Sequence, residues 1–231
     1  MSASIQHMTL SLVIAAALMA APAAQAQIPP SAGEVAQYRG LHAAVQRGDV
    51  AAINKLIADQ SNLDVRDPYG RTPLHVATYA RQREAIKLLA KAGADLGLLE
   101  HDRYDAVTIA AVADDEETLR LLLALGASAK QTTSRYDGTA LIAAAHLGHD
   151  GIVRQLIAAG APLDHVNNLH WTAVIEAVVL GDGGPRHQAT LRALIDAGAN
   201  LQLADRHGST PLMLARQRGF QKMVNMLEGA R

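Results

Sequence analysis

A pattern that returns about every 33 residues leaves this chain little choice of architecture. Thr72-Pro73-Leu74-His75-Val76-Ala77 recurs as Thr139-Ala140-Leu141-Ile142-Ala143-Ala144, as Thr172-Ala173-Val174-Ile175-Glu176-Ala177 and as Thr210-Pro211-Leu212-Met213-Leu214-Ala215. An apolar stretch follows each copy, and the closing pair appears as Gly93-Ala94, Gly126-Ala127, Gly160-Ala161 and Gly198-Ala199. The closing pairs are almost evenly spaced, only the last interval being longer, which leaves no room for a different fold between copies. Each unit must bury its apolar face against its neighbours, so the chain reads as one continuous stacked array.

Within a copy the apolar residues fall at helical spacing in two short segments, each too short to persist alone, since isolated helices below about 12–15 residues are marginal in water. Stacking has to supply the stability. In the second copy Thr72 is placed to cap a helix whose first position is Pro73, where a missing N–H costs nothing. Ile86, Leu88 and Leu89 form the inner side of the second helix, and Gly93 ends it by accepting a left-handed conformation. Leu119, Leu121 and Leu122, then Val153, Leu156 and Ile157, then Leu191, Leu194 and Ile195 repeat that side. Ala77, Ala110, Ala144 and Ala177 keep the first helices close. Partial copies complete six units, about 38–66, 67–99, 100–133, 134–166, 167–204 and 205–231. The outer ones depart as end caps should: Gln60-Ser61 replaces Gly-Ala in the first, and the last stops at Glu228. In the third copy Asp105-Ala106-Val107-Thr108 replaces the Thr-Pro-Leu-His run, so Asp105 has to serve as the cap.

With its Thr-Pro-Leu-His motif followed by an apolar residue and Ala, the chain resembles the ankyrin-repeat family over about Tyr38 to Leu227. The resemblance implies an all-α solenoid of about six helix-turn-helix units with short finger turns. For function it implies protein interaction and nothing narrower.

No Asp, Glu, Lys or Arg occurs before Glu34, and this opening stretch carries an apolar run from Leu10 to Ala21 followed by Ala24-Gln25-Ala26. This twelve-residue run, apolar but for Ser11, falls short of the roughly 20 that span a bilayer, so residues 1–26 read as a secretory signal cut before Gln27, with 27–37 as a lead. Only His7 and the α-amino group supply its positive end, which leaves Met8 or a point further upstream open as the start. Periplasm or secretion follows as the expectation, with no membrane association after cleavage. A net charge of −1, with no local run of Lys or Arg, argues against nucleic acid. The absence of cysteine excludes disulfides and thiolate zinc sites and suits an oxidising compartment.

Ankyrin-like arrays bind on a concave face made of the finger preceding each Thr position and the exposed side of each first helix. The chain has five Tyr and one Trp, and all six fall on such positions. Tyr38, Tyr104 and Trp171 immediately precede the Thr position, Tyr69 and Tyr136 lie three residues before it, and Tyr79 lies seven after Thr72. Arg71, Arg103, Arg135, His146, Asn168 and Arg206 interleave with them. Aromatic side chains of this kind are enriched in interface hot spots. The same aromatics would also stiffen the array by packing on the next finger, and the two roles are compatible.

Other chemistry is weaker. His146-Leu147-Gly148-His149 has metal-ligand spacing, but Gly148-His149 falls on the helix–helix turn, so neither a metal nor a cofactor is expected. Asp114-Asp115-Glu116-Glu117 sits where a second helix starts and reads as a solvated cap favoured by the helix dipole. Asp182 to Arg186 is a five-residue insertion in the fifth unit, read as a surface loop. No nucleophile with a base, paired carboxylates or phosphate loop is evident, so no enzyme is expected. The chain thus reads as a monomeric, exported protein-binding module that protects, stabilises or inhibits an enzyme. An immunity protein against a toxin is a narrower form of that reading. A small-molecule or metal binder using groove His and Tyr is the competing class.

Overall fold

The computed structural model describes residues 28–230, and the segment read as a signal lies outside them. Six helix pairs follow one another: α2 (Gly40–Arg47) with α3 (Val50–Ala58), α4 (Pro73–Tyr79) with α5 (Arg83–Lys91), α6 (Ala106–Val112) with α7 (Glu116–Ala124), α8 (Ala140–Leu147) with α9 (Asp150–Ala158), α10 (Ala173–Val179) with α11 (Pro185–Asp196), and α12 (Pro211–Gln217) with α13 (Gln221–Gly229). A short α1 (Ala32–Gln37) precedes them. First helices pack on first helices and second on second along the whole array, as a solenoid requires.

The core follows the repeat. Leu41, Leu74, Val107, Leu141, Val174 and Leu212 stand in one buried row, and Ala44, Ala77, Ala110, Ala144, Ala177 and Ala215 in another, where a larger side chain would hold the first helices apart. Ile53, Ile86, Leu119, Ile152 or Val153, Leu191 and Val224 line the second helices. Each buried aliphatic side chain contributes roughly 1.5–3 kcal/mol, which is what helices this short need to persist.

Thr72, Thr139, Thr172 and Thr210 accept the N–H three residues on and cap their helices. Asp105 does the same at 2.7 Å from the Thr108 nitrogen, as expected of it. Its burial raises the carboxyl's pKa above the usual range. The histidines in the motif slot, His42 and His75, tie the first and second units to the next finger. His75 accepts the Thr72 N–H at Nδ1 (3.0 Å), so its Nε2 carries the proton and donates to the Tyr104 carbonyl at 3.1 Å, while His42 Nε2 pairs with the Arg71 carbonyl at 2.9 Å.

Four local features differ from the sequence expectation. The lead is partly helical: in α1 Ser31 and Glu34 form a reciprocal capping box. The finger of the fourth unit is a small antiparallel ladder rather than a plain turn, with β1 (Thr132–Thr133) paired to β2 (Gly138–Thr139), consistent with its β-branched threonines. The insertion is half helix: Gly184 caps and Pro185 opens α11, which is 12 residues long and so outlasts every other second helix. Arg186 reaches back two units to Asp114 at 2.7 Å. The acidic run is a cap whose Asp114, Glu116 and Glu117 are exposed as expected, but whose Asp115 is interior, 5% exposed, accepting from Thr118 and pairing with Arg83 of the second unit at 2.9 Å.

Candidate protein-binding face

The fingers are rigid because each is held from within. Asp67 Oδ1 accepts the N–H groups of Tyr69 and Arg71, Glu100 those of Asp102 and Tyr104, Asn167 those of Leu169 and Trp171, and Asp205 those of His207 and Ser209. Ser134 does so once, from Tyr136. All five stand at one register, five positions before the Thr position, a regularity of the sequence that marks polar turn-holders and lies outside the predicted set. Successive fingers are joined by backbone bonds from His101 to the Tyr69 carbonyl, from Ser134 to that of Arg103 and from Asn168 to that of Tyr136. At the last junction the Arg206 side chain takes over, donating to the Asn168 carbonyl at 3.2 Å.

On this frame Tyr69 and Tyr136 are the open aromatics, 47% and 39% exposed. Tyr79, Tyr104, Trp171 and His146 are half-buried, and burial raises the phenol pKa of Tyr79 and Tyr104. Arg103 pairs with Asp137 at 2.8 Å and Arg135 with Asp102 at 3.1 Å, crossing between the same two fingers, and Asn168 donates to the Arg135 carbonyl. Arg103, Arg135, Asn168 and Arg206 therefore stitch fingers together while remaining exposed.

Two of the predicted surface residues are interior. Tyr38 is 8% exposed, stacks on His42 with centroids 5.3 Å apart and donates its hydroxyl to Asp67 at 3.0 Å. Burial above all pushes its pKa up to about 12. Arg71 is 5% exposed: its guanidinium pairs with Glu34 at 2.9 Å and Asp67 at 3.6 Å, and lies 4.5 Å from the Tyr69 ring centroid and 6.0 Å from that of Tyr79. Hydrogen bonds from Ser31 first, and Arg71 with them, hold the Glu34 carboxyl at about 2. The lead, too far away in sequence to be placed by periodicity, folds onto the second finger and occupies Arg71, while Asp67 of that finger takes the Tyr38 hydroxyl.

The open part of the face lies over the third to fifth units. An open cleft is lined by Tyr104, Val112, Tyr136, Ile142, His146 and Glu176, among others. Glu176 is 4% exposed; its Oε1 accepts from Asn167 at 3.1 Å, while buried Oε2 has no hydrogen-bond partner. His146 Nδ1 stands 3.3 Å from Oε2, outside hydrogen-bonding alignment. Glu176 is absent from the predicted set, although the frame marks it: the equivalent positions hold Ala43, Val76, Ile109, Ala143 and Leu214. His149, by contrast, is turned away to pair with the Ala111 carbonyl at 2.9 Å, so the spacing-of-three pair does not converge. Among the described residues no group of three His, Asp or Glu is placed to hold a metal.

A family profile described as Ankyrin repeats (3 copies) matches residues 12–100 and 107–205. The chain is 33% identical to the ankyrin repeat protein YahD of Escherichia coli (strain K12) over 188 residues, 81% of this chain and 93% of the relative. An ankyrin repeat domain from Acinetobacter baumannii AYE superposes with a TM-score of 0.78 at 42% identity, covering 82% of this chain and 96% of that one. A chain of the complex between a predatory endopeptidase of Bdellovibrio bacteriovorus and an immunity protein superposes at 0.66 with 23% identity, over 84% of this chain and 99% of that one, a likeness of fold.

Proposed function

Because this chain belongs to the ankyrin-repeat family, we propose that it is a non-catalytic module that binds a partner protein through its fingers and first helices, and that it does so outside the cytoplasm. The observation that carries the reading is the face itself: fingers held from within that present exposed Tyr69 and Tyr136, the latter at a largely apolar cleft. Large aromatic surface on a pre-ordered frame lowers the entropic cost of association. The export signal read at residues 1–26 supports a periplasmic or secreted partner. An enzyme held protected, stabilised or inhibited is the partner that suits a single array with no other domain among its described residues. An immunity role is one form of this, and the Bdellovibrio assembly of an endopeptidase with an immunity protein contains a chain of this fold.

The test is a crosslinked capture from the host envelope with wild-type protein and with a variant carrying Tyr69→Ala, Tyr104→Ala and Tyr136→Ala, matched for helicity and melting temperature. A partner retained by the wild type and lost by the variant is expected. A partner retained equally by both would move the interaction off this face and overturn the reading. Fractionation of host cells with the protein found only in the cytoplasm would overturn its location.

A further inference from the structure

The cleft over the third to fifth units has a counterpart elsewhere in the same chain. In the second unit, Tyr69, three residues before the Thr position, and Tyr79, seven after it, flank the guanidinium of Arg71, which also meets the Glu34 carboxylate. In the fourth unit the same two slots hold Tyr136 and His146, again two rings, and both line the cleft. The slot of Arg71, one residue before the Thr position, is Gly138. A carboxylate is present here as well, Glu176, with one oxygen orphaned. The fourth-unit groove therefore has the rings and the acid of the second-unit groove but lacks the cation.

Gly138 is not demanded by the backbone. It is absent from the positive-φ glycines, and a Cβ placed there would lie 3.6 Å from Ser134 Oγ and 3.7 Å from Ile142 Cγ2, ordinary contacts. What the glycine provides is room. Asn167 adds to the argument: the turn-holders Asp67, Glu100 and Asp205 are acids, and only here does an amide replace the carboxylate, donating from Nδ2 to Glu176 Oε1 while its own Oδ1 still holds the finger. An acid at position 167 would repel Glu176; the amide orients it.

We propose that this cleft seats an arginine side chain of the partner protein, its guanidinium on Glu176 Oε2 between the rings of Tyr136, Tyr104 and His146, and its methylenes along Val112, Ile142 and Leu147. This deepens the protein-binding reading and rests on it for the source of the arginine. A buried carboxylate oxygen without a donor is unfavourable, and a planar, weakly hydrated cation satisfies it while stacking on rings, which a lysine ammonium does less well.

The first test needs no partner. Gly138→Arg should fill the cleft from within as Arg71 fills its own groove. In a double-mutant cycle with Glu176→Gln, Gly138→Arg is expected to raise the melting temperature over Gly138→Met in the wild-type background and to lose that advantage in the Glu176→Gln background. Equal behaviour of Arg and Met in both backgrounds overturns the proposal. In the second test, N-acetyl-arginine amide is titrated by NMR against the unmodified protein, with N-acetyl-citrulline amide and N-acetyl-lysine amide as controls. Saturable shifts at Gly138, Ile142 and Ala143, roughly tenfold weaker for citrulline and absent from the Gly138→Arg variant, are expected. Citrulline or lysine binding as well as arginine overturns the assignment. In the capture experiment, a partner held equally by wild type and by Gly138→Arg overturns the arginine seat and leaves protein binding standing. Arginine binding in a protein that captures no partner upholds the seat and sinks the wider reading.

Discussion

The finger end of the first two units and the middle of the array are built from the same parts and differ in one respect, the balance of charge. At the first, Arg71, Glu34 and Asp67 meet one another and two tyrosine rings, and the lead helix α1 closes the groove. In the middle, Tyr104, Tyr136 and His146 line the same cleft as a carboxylate that has a single donor, and nothing among the described residues closes it. One region is an end cap, complete in itself. The other carries an unmet interaction. A repeated frame thus distributes the same side chains to positions whose roles are set by what the neighbouring unit, or the lead, brings to them.

Removing a charge from each region puts this contrast under the most strain. Arg71→Met leaves Glu34 and buried Asp67 without their cation and should lower stability by about 3 kcal/mol in urea unfolding. A loss well below that would mean the end cap is not held by its ion pairs.

A second expectation concerns pH and His75, whose burial pushes its pKa down to about 4. The unfolded chain takes up this proton near pH 6.5 and the folded chain only near 4, so the unfolded state binds more protons between those values and stability falls as pH falls through them. The full loss is about 3 kcal/mol by pH 4. The difference in unfolding free energy between wild type and His75→Gln should therefore narrow by that amount from pH 7 to 4. A constant difference would show that the imidazole is protonated in the fold.

Glu176→Gln should act in the opposite sense to Arg71→Met. It removes a buried charge with an orphaned oxygen while keeping an acceptor for Asn167, so stability should hold or rise by about 1 kcal/mol. A loss of the size expected for Arg71→Met would show that Glu176 is paired internally, with His146. The smallest effects belong to Arg103→Ala and Arg135→Ala, whose partners Asp137 and Asp102 are about half exposed. Each should cost less than about 1 kcal/mol, and less still in high salt.

Much of this molecule is legible without coordinates. The interval between Thr positions, the caps at Thr72 and Asp105 and the inner rows of Leu and Ala are local or periodic signals, and the helices stand where they indicate. The groove positions of Tyr69, Tyr104 and Tyr136 also follow from the frame. Tyr38 and Arg71 depart from it because their burial depends on long-range partners: the lead carries no repeat, yet its Glu34 folds back from far along the chain to reach Arg71. Glu176 escapes notice for a related reason. A single acid on an apolar face reads as noise until its neighbours Asn167 and His146, from a finger and from the preceding unit, are seen beside it.

Spacing and short-range capping are enough to establish the repeat, the helix boundaries to within a turn and the side of each helix that is buried, because each of these depends on residues close together in the chain. Which polar groups find partners is settled instead by stacking. Pairings such as Arg71 with Glu34, Arg83 with Asp115 and Arg186 with Asp114 join residues tens of positions apart, and the free oxygen of Glu176 is defined by the donors that stacking did not bring to it.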